Sequence, residues 1–170
     1  KLDGSVKIFD KIQNFEINSD KIIYDKNLEK ITSKTKTKII IDNSHIISGK
    51  DIVFFKSKLE IQSNEQSIIE DNFNNLIKLK GFNYSAKTKI LQTDKMELID
   101  EESNIYKSNN AIIDLGNVRL AAKDIQIYFA EGELGENARL KGSSLLSENN
   151  ISIIKNGIFT SCKIRDDCPP

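Results

Sequence analysis

The only two cysteines of this 170-residue chain stand near its C-terminal end, in GIFTSCKIRDDCPP (157–170). Their C-x5-C spacing does not match the C-x2-C pairs of structural zinc sites, and the single histidine of the chain lies far away in the sequence. A disulfide between Cys162 and Cys168 would close a short loop and would therefore stabilise the fold little. The residues alone leave two alternatives open, which are a local bridge and bridges to cysteines absent from this sequence.

Catalytic chemistry has little support in the sequence. His45 lies in DNSHII without a serine-elbow or zinc signature around it. The acidic runs at 100–102 and 166–167 lie in turn-like segments, where carboxylates are usually solvated. No phosphate-binding glycine loop and no cluster of metal-ligand residues is present in the sequence. We therefore predict a protein that is not an enzyme and that uses no cofactor or metal.

The composition excludes further classes of protein. The chain carries 25 basic and 25 acidic residues, so its formal net charge is zero. A nucleic-acid-binding protein needs a concentrated surplus of Lys and Arg, and we predict no nucleic-acid partner. No stretch approaches the ~20 apolar residues of a membrane-spanning helix. Because the chain begins at Lys1, we expect it to be a processed or trimmed piece.

Period-2 alternation, which is typical of half-buried antiparallel strands, recurs along the whole chain. It is clear in segments 31–41, 57–62, 82–90 and 118–129, whereas helical periodicity is absent. Clusters of Asn, Asp, Ser and Gly separate the segments and predict turns, among them 42–44, 63–67, 71–75, 100–103 and 108–110. The fold is therefore predicted to be all-β and antiparallel.

A weak repeat accompanies the alternation. SDKIIYDK (19–26), GKDIVFFK (49–56), TDKMELID (93–100) and AKDIQIYF (122–129) each combine an Asp/Lys pair with an apolar-rich strand. The aligned apolar positions are Ile22, Ile52, Met96 and Ile125. We interpret the repeat as a strand-turn-strand unit that is used several times around one continuous interior.

The apolar face of these strands has two interpretations that periodicity cannot separate. It forms either a sealed core or a partly open interior that accommodates a lipid, since a half-open β structure can hold a ligand among its inward side chains. The alternation marks these groove or core residues: Ile39, Ile41, Phe54, Leu59, Ile61, Phe82, Tyr84, Met96, Leu98, Ile125, Ile127 and Phe129.

Two stretches resemble a known family. SDKIIYDKNLEKITSKTKTKIII (19–41) resembles the OstA-type strand unit of lipopolysaccharide-transport proteins. Residues 138–170 are similar to the end of the periplasmic domain of the LptD family, which carries an R-L-K-G-like stretch, an F/Y-T-x-C motif and, in one branch, a second cysteine before Pro-Pro. The segment 63–80 fits the repeat poorly.

The resemblance implies an antiparallel β-jellyroll of the OstA/LptA type, an open V-shaped sandwich over 1–156, followed by a cysteine-containing junction at 157–170 toward an outer-membrane β-barrel. It implies non-enzymatic lipopolysaccharide transport, in which lipid A acyl chains pass through the apolar groove. Cys162 matches the family cysteine that forms a long-range disulfide with the barrel, while Cys168 matches only the branch with a second cysteine.

The partners and the location follow from the same resemblance. An LptA-like periplasmic bridge protein would add its strand to the N-terminal edge, and an LptE-like lipoprotein would plug the barrel. The chain would lie at the periplasmic face of the outer membrane. Two alternatives remain, which are a stand-alone bridge protein like LptA or LptC and a structural β-domain of a surface protein without lipid cargo.

Overall fold

The structure, a computed structural model, describes residues 2–132, 134–135, 137–149 and 151–163. Within these residues the chain is all-β, with 68% of them in strands and no helix, as the sequence predicts. The antiparallel strands are β1 (Leu2–Asp10), β2 (Phe15–Asp25), β3 (Lys30–Ser33), β4 (Thr37–Ile41), β5 (His45–Gly49), β6 (Ile52–Phe55), β7 (Glu60–Asp71), β8 (Leu76–Ser85), β9 (Ile90–Ile99), β10 (Ile105–Asp114), β11 (Arg119–Tyr128), β12 (Arg139–Glu148), β13 (Ile151–Lys155) and β14 (Ile158–Thr160).

The long strands bend midway, so one continuous sheet forms two facing leaves, in agreement with a jellyroll-like sandwich. Leaf 1 consists of β3, β6, β13 and the long-strand segments 22–25, 60–63, 82–85, 90–93, 111–114, 119–122 and 144–148. Leaf 2 consists of β4, β5, β14 and the segments 6–10, 15–19, 66–71, 76–80, 95–99, 105–109, 125–128 and 139–142, while residues 2–3 of β1 pair with 21–22 across the bend.

The repeat of the sequence marks these bends rather than turns. Its Asp/Lys pair lies inside β2, β9 and β11, and in the short link between β5 and β6. Asp51 and Asp124 adopt positive φ angles of 51° and 52°, a conformation that Asp tolerates better than most residues. Gly81 adopts φ 71° at the bend of β8. The aligned apolar position that follows each pair is buried.

Two predicted turns are wrong for the same reason. Segment 63–67 lies inside β7, where the register shifts between Ser63 and Gln66. Segment 108–110 lies inside β10, where Asn110 adopts φ 59° and the register also shifts. Small polar residues favour both turns and β-bulges, so composition alone does not distinguish a chain reversal from a bend within a strand.

Buried hydroxyl groups line the bends on the inner side. Ser19, Ser33 and Thr37 form a cluster where β2 passes between the leaves, with Oγ–Oγ distances of 2.6 Å between the two serines and 2.8 Å from Thr37 Oγ1 to Ser33. Thr93 Oγ1 donates to the carbonyl oxygen of Gly81 at 2.6 Å. Ser63 Oγ donates to the Lys50 carbonyl at 2.8 Å. These bonds satisfy polar groups that would otherwise be buried without a partner.

The core lies between the leaves. Phe15 of leaf 2 packs edge-on against Phe54 of leaf 1, with ring centroids 5.1 Å apart. Around this pair, inward Ile, Leu, Phe and Ala side chains from both leaves form one continuous apolar cluster. In β4 the alternation of the sequence is visible directly, because Thr37, Ile39 and Ile41 are buried while Lys38 is exposed.

Candidate functional site

The structure places all twelve groove or core residues of the sequence analysis on the inner side of the leaves. Nine of them belong to the buried cluster, and Leu59, Leu98 and Phe129 are partly buried against it. The nine are Ile39, Ile41, Phe54, Ile61, Phe82, Tyr84, Met96, Ile125 and Ile127. One of the twelve, Leu98, lines a cavity between the leaves.

That cavity, which we call the mouth, opens between the strand ends of the two leaves and has a volume of about 230 Å³. Leaf 2 contributes the turns 72–75 and 100–104 with the strands beside them, and leaf 1 contributes the turn 115–118 with its flanking strands. Its apolar lining includes Ile77, Leu98, Tyr106, Ile113, Leu120 and Leu145. Drug-sized ligands occupy ~300–1,000 Å³, so the mouth suits a segment of a flexible apolar ligand.

Two large apolar side chains stand exposed where the mouth meets solvent. Phe73 of leaf 2 is 63% exposed and Val118 of leaf 1 is 73% exposed, and both line the mouth. Val118 adopts φ 53°, an uncommon conformation for a β-branched residue. Exposed apolar groups at the opening of an apolar cavity are a feature of sites that take up a hydrophobic ligand. We call Phe73 and Val118 the lips.

The carboxylates at the rim of the mouth hold turns. Asp71 Oδ1 accepts hydrogen bonds from the backbone N–H groups of Phe73 and Asn75, both at 2.9 Å. Asp100 Oδ1 accepts from the N–H group of Asn104 at 2.8 Å in the same D-x-x-x-N arrangement. Both carboxylates also accept from the Asn side chain of that turn, at 2.7 and 3.0 Å. These hydrogen bonds fix the turns that form the opening of the mouth.

Asp114 plays the same part in leaf 1. Its Oδ1 accepts from the N–H groups of Gly116 and Asn117, both at 3.0 Å, and its Oδ2 accepts from Asn117 Nδ2 at 2.9 Å. The hydrogen bonds from Asn117 lower the pKa of this carboxyl group, so it is ionised at neutral pH. A fixed negative charge therefore borders the mouth at this turn.

Three other titratable groups line the mouth, namely Tyr106, His45 and Arg119, and Arg119 forms an ion pair with Glu148. Burial is the main cause that raises the pKa of Tyr106 to about 12, with the neighbouring Asp100 adding to it. Burial lowers the pKa of His45, while Asp71 and Asp42 act in the opposite direction. Both side chains are thus neutral near pH 7, which keeps the wall of the mouth uncharged at these points.

An ion pair joins the two leaves beside the mouth. Lys89 Nζ, in the turn after β8, lies 2.6 Å from Asp42 Oδ2, in the turn after β4. The Lys89 carbonyl accepts from the N–H group of Leu115, which lines the mouth, and His45 follows Asp42 by three residues. We call this pair the clasp, because it connects leaf 2 to leaf 1 at the closed side of the opening.

Sequence reasoning did not find the lips or most of the mouth lining. Ile77, Ile113 and Leu120 obey the alternation, but nothing in it distinguishes them from the sealed residues. The one available signal is an apolar residue inside a turn, since Phe73 interrupts DNFNN and Val118 ends GNV. This signal is not specific, because Leu115, in the same turn as Val118, is buried in the core.

The C-terminal segment begins as part of the sheet. β14 pairs with the start of β12, in leaf 2. Arg139, which is buried, donates from Nη1 to the carbonyl oxygen of Cys162 at 2.9 Å. Cys162 is exposed, while Cys168 and the acidic pair at 166–167 lie outside the described residues. The pairing of the cysteines therefore stays a prediction.

Among the described residues, no group of three or more His, Cys, Asp or Glu side chains is arranged to hold a metal ion. In the same part of the chain, no helix has the length and apolar character needed to cross a membrane. A scan against protein-family models finds no match for this chain, and a search of curated proteins finds none either.

Proposed function

We propose that this protein is a lipid carrier that takes an acyl chain between its two leaves through the mouth. The observation that carries the proposal is the apolar cavity between the strand ends, with Phe73 and Val118 exposed at its opening. Each methylene group that moves from water into such a cavity contributes ~0.8 kcal/mol. An acyl chain thus binds without a charged anchor, while its polar head stays in solvent.

The resemblance of 19–41 and 138–170 to the LptD family suggests which lipid this is. On that basis we propose lipopolysaccharide as the cargo, with the chain acting at the periplasmic face of the outer membrane and handing lipid A toward a β-barrel plugged by an LptE-like lipoprotein. An LptA-like bridge protein would pair with β1, which has one neighbouring strand, β2, in the described sheet. Strand addition at such an edge draws its affinity from main-chain hydrogen bonds.

Two other functions remain candidates. A stand-alone bridge protein would use the same mouth, but it does not need the F-T-x-C motif around Cys162. A structural β-domain without cargo would have a fully sealed interior, and the open mouth argues against it. Further amphipathic strands following Pro170 in the full-length protein would favour the LptD-like function over the bridge protein.

Photocrosslinking from the lips tests the proposal. Phe73→p-benzoylphenylalanine keeps an aromatic ring at an exposed position, so the fold is preserved. The buried positions Phe82 and Ile127 suit a bulky probe less. In cells that make lipopolysaccharide, we expect adducts from position 73. The matched control is the same probe at Leu28, which is 61% exposed in a turn of leaf 1 away from the mouth.

Binding of a fluorescent fatty acid by the purified chain gives a second readout. We expect Val118→Glu to weaken binding by roughly tenfold, because losing about two buried methylene contacts costs about 1.6 kcal/mol. Leu28→Glu should leave the affinity unchanged. Equal crosslinking from positions 73 and 28, or equal binding by both Glu variants, would contradict lipid uptake through the mouth.

A further inference from the structure

The outer face of leaf 2 concentrates lysine in two neighbouring cross-strand rows. The first row contains Lys7, Lys38, Lys78, Lys107 and Lys141, with Glu97 as its one carboxylate. The second row, nearer the bend, contains Lys80, Lys95 and Lys123 and no carboxylate. These two rows thus hold eight lysines and one carboxylate in register, while the neighbouring row contains Glu16, which pairs with Lys7 at 2.7 Å, and Glu70.

The outer face of leaf 1 lacks this feature. A cross-strand row from Val53 through Gln62, Asn83 and Gln92 to Ile112 contains no charged residue, and it continues uncharged to β13. The chain as a whole is neutral. The lysine rows are therefore a property of one face and not of the composition.

A hollow of about 590 Å³ lies within the lysine rows. Four lysines line it, namely Lys78, Lys80, Lys95 and Lys107, against the two carboxylates Glu97 and Asp124. This volume is in the range of ~300–1,000 Å³ that small-molecule sites occupy. The hollow thus combines the size of a ligand site with an excess of positive charge.

The ion pairs of the hollow leave two of its lysines without a carboxylate. The Glu97 carboxylate lies 2.7 Å from Lys78 Nζ and 3.4 Å from Lys107 Nζ, so these two lysines share its negative charge. Lys80 and Lys95 are direct partners in the β8–β9 register, and within the described chain neither ammonium has a carboxylate within 4.0 Å. Like charges directly opposite each other destabilise a sheet, and a bound anion would relieve this repulsion.

We propose that the hollow binds a phosphorylated saccharide, with Lys80 and Lys95 holding its phosphate. Lysine ammonium groups bind phosphate as point charges. Gln66, Asn109 and Gln126 line the same hollow and offer amide donors and acceptors for sugar hydroxyl groups. These amide groups favour a ligand that carries hydroxyl groups over a surface that offers negative charge alone. A free sugar phosphate and the head group of a phosphorylated glycolipid share this chemistry.

Isothermal titration with glucose 1,6-bisphosphate tests the site at about 50 mM salt, where the Debye length is longer than at physiological ionic strength. We expect binding by the native chain, roughly tenfold or more weaker binding by Lys80→Gln/Lys95→Gln, and weaker binding at higher salt. The matched control, Lys11→Gln/Lys26→Gln, removes two exposed turn lysines outside the hollow and should bind like the native chain. The hollow variant should keep its melting temperature, because it removes a repulsion.

Two further ligands show whether the bound saccharide is free or part of a glycolipid, and whether the lysine rows bind a membrane surface instead. Lipid A in detergent micelles that binds more tightly than the bisphosphate, with this binding weakened in Lys80→Gln/Lys95→Gln and unchanged in Val118→Glu, indicates a glycolipid head group; equal affinities indicate a free sugar phosphate. Binding to phosphatidylglycerol vesicles without binding to glucose 1,6-bisphosphate overturns the proposal in favour of a membrane surface. So does equal binding of the bisphosphate by the two Gln double variants. The hollow lies on the opposite face of leaf 2 from the mouth, so bisphosphate binding is independent of lipid uptake.

Discussion

The interior of this protein has two parts with the same alternation of inward side chains. One part is fully buried, and the other borders an open cavity. In the sealed part, Ile39, Ile47 and Ile61 from strands β4 to β7 have no exposed surface. In the mouth, Ile77, Leu98 and Ile113 continue the same inward rows but border a cavity of about 230 Å³. The difference arises at the strand ends, where the clasp joins the leaves on one side and the lips stay apart on the other.

The comparison shows that binary patterning determines which residues face inward and that turn contacts determine which of them stay accessible. Lys89 and Asp42 lie 47 positions apart, and their contact depends on how two unrelated turns meet. Phe73 and Val118 lie on turns of opposite leaves, and both side chains are exposed at the opening of the mouth. The apolar alternation of the sequence contains no information about either arrangement.

The largest expected difference between the sealed part and the mouth is the loss of stability when a core side chain is truncated. Ile61→Ala removes side-chain volume from a fully enclosed site, and we expect the free energy of unfolding to fall by ~2–5 kcal/mol. Leu98→Ala enlarges a space that is already open, so we expect a loss below about 2 kcal/mol. Urea denaturation followed by circular dichroism measures both. Equal losses would mean that the mouth is packed as tightly as the sealed part.

Most of the architecture could be predicted from the sequence, because burial on one face of a strand requires period-2 alternation. The all-β class and the inward position of residues such as Ile39 and Ile127 follow from this alone. The bends at 63–67 and 108–110 could not be predicted, since Ser and Asn suit turns and bulges equally. The mouth and the lysine rows depend on which strands become neighbours, and non-local register is not written in any single segment.

A smaller effect is expected from opening the clasp. Both side chains are partly exposed, so Lys89→Met should lower the free energy of unfolding by less than about 1 kcal/mol. The same change removes the connection between the leaves beside the mouth, and we expect faster uptake of a fluorescent fatty acid in stopped-flow measurements.

Lys78→Met is the matched control for the clasp. It breaks an ion pair with Glu97, of similar length at 2.7 Å, that lies within the outer face of leaf 2. Its effect on stability should be similar, while the rate of fatty-acid uptake should not change. If both variants take up the probe at the native rate, the clasp does not control access to the mouth.

The smallest expected effect concerns pH and the wall of the mouth. Because burial lowers the pKa of His45, the folded state binds fewer protons than the unfolded state at pH values just below the ordinary histidine value of ~6.5. This contribution to stability is present above ~6.5 and is lost as the pH falls through the lower pKa of the folded state. The ring is half-buried and Asp71 and Asp42 oppose the shift, so we expect the free energy of unfolding to fall by less than about 1 kcal/mol.

Glu16, Glu97 and Asp114 also have lowered pKa values, but carboxyl groups titrate below this pH range. Urea denaturation between pH 7.5 and about 5 should therefore show a decline in the native chain that is flatter in His45→Gln, and parallel curves would mean that the wall of the mouth at His45 is open to water.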